Sequence, residues 1–326
     1  MSETDAPLLA VEGLTTHYVS ARGTRVTRAV EDVSFTLGDG ETLGIVGESG
    51  SGKTTLALSL LRLLPPAART IAGAIRFEGE NLLTKSEAEL RHIRGKRMAM
   101  ILQDPMASLN PLFTIGDQVG EPLRVHEGVS RRGAWERARE LLGAVRISAP
   151  DARVRNYPHE LSGGMRQRIV GAIAISCGPR LLIADEPTTS LDVTIQAQYL
   201  SLLRELQRAQ GLALIFITHN LGIVARMCDK VAVMYGGRIV ESGPVRRIFG
   251  APAHPYTRAL IESIPKLGDS NGRLTAIEGQ PPDPAALPEG CAFHPRCPVR
   301  LEKCATERPR DSVVGDEHRT ACWLHG

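Results

Sequence analysis

The chain has 326 residues, of which 42% are apolar and 23% charged, with 39 Lys and Arg against 36 Asp and Glu and a formal net charge of +3. This length predicts about two domains, the composition excludes wholesale disorder, and so mild a charge does not argue for nucleic acid binding. No apolar run approaches the ~20 residues of a membrane-spanning helix and the acidic N-terminus lacks a secretory core, so we expect a soluble, cytoplasmic protein.

Strand and helix patterns alternate from about residue 8 to about residue 262. Strands are predicted at Val11–Tyr18, Val26–Leu37, Glu41–Val46, Ile75–Phe77, Met98–Leu102, Leu181–Asp185, Leu212–Thr218 and Val231–Tyr235. Helices are predicted from just after Gly52 to before Pro65, and at Arg131–Val145, Met165–Ile175, Thr194–Gln210 and Leu221–Cys228. Such alternation implies a largely parallel sheet that is covered on both faces.

A glycine-rich loop joins the third predicted strand to the first predicted helix. Its residues are Gly47, Glu48, Ser49, Gly50, Ser51, Gly52, Lys53 and Thr54, which match G-x-x-x-x-G-K-[ST] in the context that this pattern requires. The glycines let backbone N–H groups surround phosphate oxygens at a helix N-terminus. We expect Lys53 to contact the β- and γ-phosphates and Thr54 to place its hydroxyl on Mg²⁺.

Two consecutive acids, Asp185 and Glu186, lie at the C-terminal end of the predicted apolar strand Leu181–Asp185. A strand that delivers carboxylates at its C-terminal end suits a site at the carboxyl edge of a parallel sheet. We expect Asp185 to orient the metal, directly or through water, and Glu186 to polarise the attacking water. Solvated acids capping a strand are an alternative for the pair alone, but the upstream phosphate loop favours the functional interpretation.

The segment Leu161–Arg168 places Ser162, Gly163 and Gly164 at the start of a predicted helix. Ser162 is a plausible N-cap, and the glycines expose N–H groups that form a second anion site. With the phosphate loop and the paired acids, this segment resembles the signature motif of the ATP-binding cassette (ABC) ATPases. The resemblance covers residues 8–262.

The resemblance implies roles for further residues. Tyr18 looks like the aromatic residue that stacks on adenine, with a core aromatic as the alternative. Gln103 resembles the glutamine that reaches Mg²⁺ and the attacking water, and His219 resembles the switch histidine that contacts the γ-phosphate. Ser190–Asp192 resembles the loop that crosses to the opposite subunit. The implied catalytic residues are Lys53, Gln103, Glu186 and His219; the implied Mg²⁺ ligands are Thr54, Gln103 and Asp185; the implied nucleotide-binding residues are Tyr18, Gly47, Glu48, Ser49, Gly50, Ser51, Gly52, Lys53, Thr54, Thr55, Ser162, Gly163, Gly164, Asp185 and Asp192.

The predicted fold class is α/β. We expect a phosphate-loop ATPase core with a mainly parallel sheet, an N-terminal antiparallel β subdomain, an inserted α-helical subdomain and a small C-terminal metal-binding extension. The predicted boundaries are 1–262 for the nucleotide-binding domain, with about 105–179 as the helical insertion, and 263–326 for the extension.

Only one set of motifs is present, whereas the resembled family sandwiches nucleotide between the phosphate loop of one subunit and the signature motif of another. A second ABC ATPase subunit, identical or different, is therefore implied. The stretches Gln103–Pro111 and His254–Leu260, together with the Cys-bearing tail, resemble the oligopeptide, dipeptide and nickel importers. That resemblance implies a peripheral ATPase on the cytoplasmic face of the membrane, two transmembrane permease subunits, an extracytoplasmic peptide-binding protein and no nucleic acid.

Rival functions remain open at this point. The same motor could drive import of nickel chelates or other small solutes. A soluble, non-transport ABC ATPase acting on DNA or ribosomes usually has a second cassette or a long coiled coil, and neither is present. A redox sensor that only binds ATP is disfavoured because Glu186 and His219 are intact.

Four of the six cysteines, Cys291, Cys297, Cys304 and Cys322, fall in the last 36 residues. Clustered thiols in a cytosolic protein suggest a metal site rather than disulfides. The spacing lacks the C-x2–4-C pairs that are usual in zinc sites. The dipeptide Cys297-Pro298 is similar to the cysteine-proline pair found in ferredoxin-like iron–sulfur motifs. Members of the resembled subfamily carry a [4Fe–4S] cluster here, so a cluster is the expectation, with zinc or free thiols as alternatives.

Overall fold

The computed structural model describes residues 6–21, 23–189, 191–264 and 276–326. The chain divides into two compact units, the first formed by residues 1–38, 42–83 and 216–326 and the second by residues 39–41 and 84–215. None of the helices in the described ranges has the length and hydropathy that a bilayer-spanning helix requires.

The secondary structure consists mainly of short strands and helices. The strands are β1 Leu9–Val19, β2 Val26–Leu37, β3 Thr42–Val46, β4 Ala68–Phe77, β5 Glu80–Asn81, β6 Met98–Ile101, β7 Leu181–Asp185, β8 Ala213–Thr218, β9 Lys230–Tyr235, β10 Arg238–Pro244, β11 Ser312–Gly315 and β12 His318–Thr320. The helices are α1 Lys53–Leu60, α2 Glu87–Ile93, α3 Pro105–Ser108, α4 Ile115–Glu127, α5 Arg131–Ala144, α6 Pro150–Arg153, α7 Gly163–Ile175, α8 Val193–Gln210, α9 Leu221–Met227, α10 Val245–Gly250 and α11 Pro255–Glu262.

The first unit contains a four-stranded antiparallel sheet in the order β2-β1-β4-β5. Alternation along β1 buries Leu9 and Val11 on one face, which is the period-2 pattern of a half-buried strand. This sheet confirms the predicted N-terminal antiparallel subdomain. Its β4 begins at Ala68, seven residues before the predicted strand, and pairs with β1 from Leu9 to Tyr18.

The larger sheet is mixed. In the first unit its order is β11-β12-β10-β9-β3-β8, and in the second it is β8-β7-β6, because β8 is divided between the units after residue 215. The pairs β3–β9 and β6–β7 are parallel, as alternation of strands and helices predicts. The pairs that join β9 to β10, β10 to β12 and β12 to β11 are antiparallel. The expectation of a mainly parallel sheet is therefore correct for the nucleotide-binding strands but wrong for this edge.

The tail contributes strands and core to the first unit. β12 pairs with β10 through Glu241 opposite Thr320 and Ser242 opposite Arg319. Phe293 is 2% exposed and packs in a cluster with Tyr235 and Tyr256. Burial of an aromatic side chain of this size stabilises the fold by about 2 kcal/mol. The tail is thus anchored by apolar packing as well as by sheet hydrogen bonds.

The second unit is predominantly helical, and its helices begin at N-cap side chains. Thr114, Ser130, Ser162 and Asp192 each accept a backbone N–H from the first turn of α4, α5, α7 and α8, respectively. In α5 the buried residues Ala134, Ala138 and Leu142 recur every four residues, so one face packs inward. Such patterns explain why this region reads as helical from sequence.

Candidate functional site

The phosphate loop lies in the first unit between β3, all of whose residues are buried, and α1. Gly47 has φ +157° and Gly52 has φ +101°, and a Cβ on either would overlap a backbone oxygen, that of Met234 or Ala29. These two glycines are therefore required by close backbone approach. Gly52 is the N-cap of α1 and supplies no side-chain hydrogen bond, which is typical of a helix N-terminus that binds an anion.

Lys53 is 6% exposed and lies within the loop itself. Its Nζ donates to the carbonyl oxygens of Gly47 at 2.8 Å and Glu48 at 2.9 Å and to Ser51 Oγ at 3.3 Å. The ammonium group is thus held inside the curve of the loop, where an anion would meet it. Thr54, the next residue, is exposed at the N-terminus of α1. An exposed hydroxyl at this position suits an Mg²⁺ ligand, since Mg²⁺ prefers oxygen donors.

Tyr18 lies on β1 and is half-buried, with its hydroxyl 3.3 Å from Thr55 Oγ1. It is less buried than the core aromatics Tyr235 and Tyr256, which favours the stacking interpretation over the core-aromatic one. A half-exposed ring beside the first turn of α1 can stack on a flat base. His219 follows directly after β8 and is exposed, and the next residue, Asn220, caps α9 through its side-chain oxygen.

The second unit brings Gln103, Asp185 and Glu186 to the ends of the parallel strands β6 and β7. Asp185 is 1% exposed. Glu186 has φ +45°, an uncommon conformation for a residue with a side chain. Its Oε2 accepts from Gln103 Nε2 at 3.1 Å and from Thr189 Oγ1 at 3.0 Å. The carboxylate is thus oriented by two donors, one of which, Thr189, the sequence did not single out.

The signature segment forms one wall of an open cleft in the second unit. Ser162 caps α7 and accepts from Met165 N at 3.4 Å, while Gly163 is exposed and Gly164 is half-buried. Asp192 lines the same cleft of about 580 Å³. Its Oδ1 accepts from Thr194 N and Ile195 N, so Asp192 is an N-cap of α8. Of the predicted crossing loop, Ser190 lies outside the described residues.

Arginines line this cleft as well; Arg168 ends the predicted signature segment, whereas Arg146 was not singled out from the sequence. Arg146 and Arg168 both contribute to its lining. Arg168 donates to the carbonyl of Arg146 at 3.0 Å and to Gln198 Oε1 at 2.9 Å. The cleft therefore combines a capped helix N-terminus with cationic side chains, which suits an anion.

Two tail-side residues contact the phosphate loop, and the sequence did not predict them. The amide of Glu48 donates to Tyr256 Oη at 2.9 Å, and the carboxylate of Glu48 accepts two hydrogen bonds from Arg296. Glu48 and Arg296 are 248 residues apart, so no periodic pattern could have paired them. Burial raises the pKa of Tyr256, so its hydroxyl stays protonated at neutral pH.

The four tail cysteines are free thiols that line one cavity of about 20 Å³. Burial, together with the nearness of the other three thiols, raises the pKa of Cys291 to about 11. Burial likewise raises the pKa of Cys297 and of Cys322. Across the described ranges, however, no three His, Cys, Asp or Glu side chains are arranged so that they could hold a metal ion. The structure therefore does not support the predicted metal-binding extension or its [4Fe–4S] cluster.

A strand–loop–helix phosphate site and strand-end carboxylates define a phosphate-loop ATPase. A family model described as ABC transporter matches residues 30–189. A second, described as oligopeptide/dipeptide transporter, C-terminal region, matches residues 240–304. The two matches cover the phosphate loop, the signature segment and much of the tail.

Known relatives span nearly the whole chain. A probable peptide ABC transporter ATP-binding protein of Sinorhizobium fredii is 50% identical over 318 residues, which is 97% of this chain and 94% of the relative. The dipeptide transport ATP-binding protein DppD of Bacillus subtilis is 47% identical over 318 residues, with the same shares.

Solved structures share the fold. The ATP-binding cassette MJ0796, bound to ADP and Pi, superposes with a TM-score of 0.66 at 24% identity over 73% of this chain and 99% of its own. CbiO1 of Clostridium perfringens, part of an ABC transporter complex, gives 0.63 at 26% identity over 76% of this chain and 92% of its own. The chain belongs to the ATP-binding proteins of the ABC transporter family, and it is an ATPase that couples ATP hydrolysis to transport.

Proposed function

We propose that this ATPase energises the import of dipeptides and oligopeptides. The observation that carries the proposal is the match of residues 240–304 to the oligopeptide/dipeptide transporter C-terminal region. The relatives named for peptide and dipeptide transport support it along 97% of the chain. Import of nickel chelates or other small solutes by the same motor is the second candidate.

The experiment that tests this proposal is uptake by the assembled transporter. The full chain, its partner ATPase and two permeases are reconstituted in liposomes with ATP inside and a peptide-binding protein outside. A labelled dipeptide accumulates with the wild type and fails to accumulate with Glu186→Gln. Uptake of a nickel chelate with no uptake of peptide would favour the second candidate.

The proposed division of labour among the residues follows their chemistry. Lys53 neutralises β- and γ-phosphate charge, and Glu186 acts as the base that polarises the attacking water. Gln103 orients Glu186 and the water, and His219 contacts the γ-phosphate. When bound, Mg²⁺ neutralises charge on the phosphates, and its proposed ligands are Thr54, Gln103 and Asp185, whose donor atoms are all oxygens.

The nucleotide contacts are proposed on the same grounds. Tyr18 stacks on the adenine, and the N–H groups of the loop surround the phosphates. The residues assigned to this role in the first unit are Tyr18, Gly47, Glu48, Ser49, Gly50, Ser51, Gly52, Lys53, Thr54 and Thr55. The residues assigned in the second unit are Ser162, Gly163, Gly164, Asp185 and Asp192.

A second ATPase subunit, identical to this chain or different from it, completes the proposed assembly. The support for it is the open cleft lined by Ser162, Gly163 and Asp192, which offers N–H groups and arginines to the γ-phosphate of a nucleotide held by the partner. Two permease subunits anchor the pair at the cytoplasmic face of the membrane, and an extracytoplasmic protein delivers the peptide. Size-exclusion chromatography of Glu186→Gln with ATP tests pairing: a dimer is expected, and a monomer at saturating ATP contradicts it.

The extension 263–326, whose strand β12 pairs with β10 of the first unit, is proposed to bind metal through its thiols. The support is the donor set of four sulfurs from Cys291, Cys297, Cys304 and Cys322, which line one cavity but, in the described residues, are not arranged as a ready-made metal site. A bound metal ion would favour the thiolate form and so counteract the increase in thiol pKa that burial causes. Anaerobic purification followed by iron, sulfide and zinc analysis decides the matter: a brown, iron- and sulfide-containing protein supports a cluster, zinc alone supports the tetrahedral alternative, and metal-free thiols overturn both.

A further inference from the structure

Glu48 places a negative charge near the start of the loop that is proposed to bind the triphosphate. It is the second residue of the phosphate loop, and its side chain is 26% exposed. An unneutralised carboxylate at this position would repel the phosphates of ATP, because Coulomb interactions at a partly buried site are only weakly screened. The loop therefore needs a cation that compensates Glu48, and Lys53 is already held by loop carbonyls.

That cation comes from the tail. Arg296 Nη1 donates to Glu48 Oε2 at 2.7 Å and Nη2 donates to Glu48 Oε1 at 3.1 Å, which is the bidentate geometry of an arginine–carboxylate pair. The Arg296 side chain is 5% exposed. The hydrogen bonds to Glu48 raise the pKa of Arg296, so the guanidinium is permanently charged. The pair is thus a partly buried ion pair, with the guanidinium more deeply buried than the carboxylate.

The guanidinium is held in place on every side. Its remaining N–H groups donate to the carbonyl oxygens of Glu278 and Ile277 and to Tyr235 Oη at 2.9, 3.3 and 3.2 Å. All five donors of Arg296 are satisfied, which explains how a buried charge is tolerated. Tyr256 Oη accepts the Glu48 amide at 2.9 Å, so the backbone and the side chain of Glu48 are both fixed from outside the loop.

We propose that Arg296 is a positioning residue for ATP binding: it neutralises Glu48 and holds the phosphate loop open for the triphosphate. Tyr256 fixes the Glu48 amide in the same role. Arg296 immediately precedes Cys297, so the residue that pairs with Glu48 lies next to a cysteine that lines the tail cavity. This inference rests on ATP binding by the cassette and holds whether or not the transporter carries peptides or the tail carries metal.

A double-mutant cycle on the full-length protein tests the proposal. The affinity for a fluorescent ATP analogue is measured with Mg²⁺ for the wild type, Arg296→Ala, Glu48→Gln and the double variant. We expect Arg296→Ala to weaken binding about tenfold, because a charge-assisted hydrogen-bonded pair is lost and a carboxylate is left exposed to phosphate. In the Glu48→Gln background the same substitution changes affinity less than about twofold, because there is no charge left to compensate.

The control and the alternative variant keep the test decisive. Arg308→Ala removes another tail arginine, which donates to the Glu289 carbonyl and lies 3.8 Å from Glu31, and it leaves nucleotide affinity unchanged. If Arg296→Ala does not fold, Arg296→Lys is used in its place. Because lysine keeps the positive charge, we expect this variant to weaken ATP binding less than half as much as the loss expected for Arg296→Ala. An equal loss of affinity in both Glu48 backgrounds, or wild-type affinity in folded Arg296→Ala, overturns the proposal.

Discussion

Gln103 and Glu186 are joined by a hydrogen bond of 3.1 Å from the amide Nε2 to the carboxylate Oε2. Thr189 donates to the same oxygen at 3.0 Å. Two donors on one oxygen fix the plane of the carboxylate, and a general base works only when it is held within hydrogen-bond reach of its water. The proposed base is therefore oriented before nucleotide arrives.

Replacement of Glu186 by Gln should abolish hydrolysis while nucleotide binding persists. The amide keeps the size of the side chain and accepts the Gln103 hydrogen bond, but it cannot take a proton. We expect the rate of phosphate release by the assembled transporter to fall about 10²–10⁴-fold. Phosphate release and ATP affinity are measured side by side, and turnover near the wild-type rate would refute the role of Glu186 as base.

Replacement of Gln103 by Ala should lower kcat about tenfold and leave the KM for ATP within about threefold. The variant loses the charge-assisted hydrogen bond that orients Glu186 and one proposed Mg²⁺ ligand. Thr54 and Asp185 remain as proposed ligands, so ground-state binding of the nucleotide should change little. Steady-state ATPase kinetics on the reconstituted complex provide the check. Thr189→Ala removes the second donor and should show a smaller effect of the same kind; a rise in KM alone in both variants contradicts the orienting role.

Replacement of Ser162 by Ala should separate helix capping from catalysis. Loss of the N-cap of α7 costs about 1 kcal/mol of unfolding free energy. The matched control is Ser130→Ala, which removes the N-cap of α5, where Ser130 accepts from Gly133 N at 3.2 Å. We expect similar losses of stability in urea, but loss of ATP-dependent pairing and ATPase only in Ser162→Ala. Equal activity in the two variants would show that Ser162 is only a cap.

The buried His254 should make the protein more sensitive to acid. Burial, assisted by nearby His325, lowers the pKa of His254 to about 3, so the fold holds the ring neutral while the unfolded chain protonates it near its usual value of about 6.5. The stability contribution is complete above about pH 6.5 and is lost as the pH falls toward 3, since the unfolded state binds more protons in that window.

His254→Asn isolates this effect. His254 Nδ1 accepts the Tyr256 amide at the start of α11, and an Asn side chain supplies an equivalent N-cap acceptor. Between pH 8 and pH 5 we expect the wild type to lose about 2 kcal/mol more unfolding free energy than the variant. Urea unfolding at the two pH values measures the difference, and parallel losses would contradict a neutral buried ring.

Much of the nucleotide-binding fold could be predicted because its signals are local. The run Thr42–Val46 followed by Gly47–Thr54 specifies strand, loop and helix within a dozen residues. The sequence analysis did not predict helix α2, although Ser86 at its N-cap and Glu89 in its first turn form a capping box that is recognisable in the sequence. The two predicted domains and the individual roles of the site residues remain predictions.

The rest could not be predicted because it depends on distant pairing. Strands β11 and β12 are four and three residues long, and they pair with each other locally, but they join the larger sheet only through the pairing of β12 with the distant β10. The buried carboxylate of Glu241 is accounted for by His318, 77 residues later, at 2.7 Å. A local sequence pattern cannot predict contacts between residues so far apart in the chain, and the same applies to the contact between Arg296 and Glu48.

The separation of Glu48 and Arg296 also sets an order for biogenesis. The phosphate loop emerges early in synthesis, whereas the arginine that balances its acid lies 248 residues downstream. Contacts of such long range form late in folding because chain ordering must come first. On the proposed role of Arg296, a nascent chain that lacks it has an uncompensated charge in its phosphate loop, and we expect full affinity for nucleotide only after the tail has been synthesised.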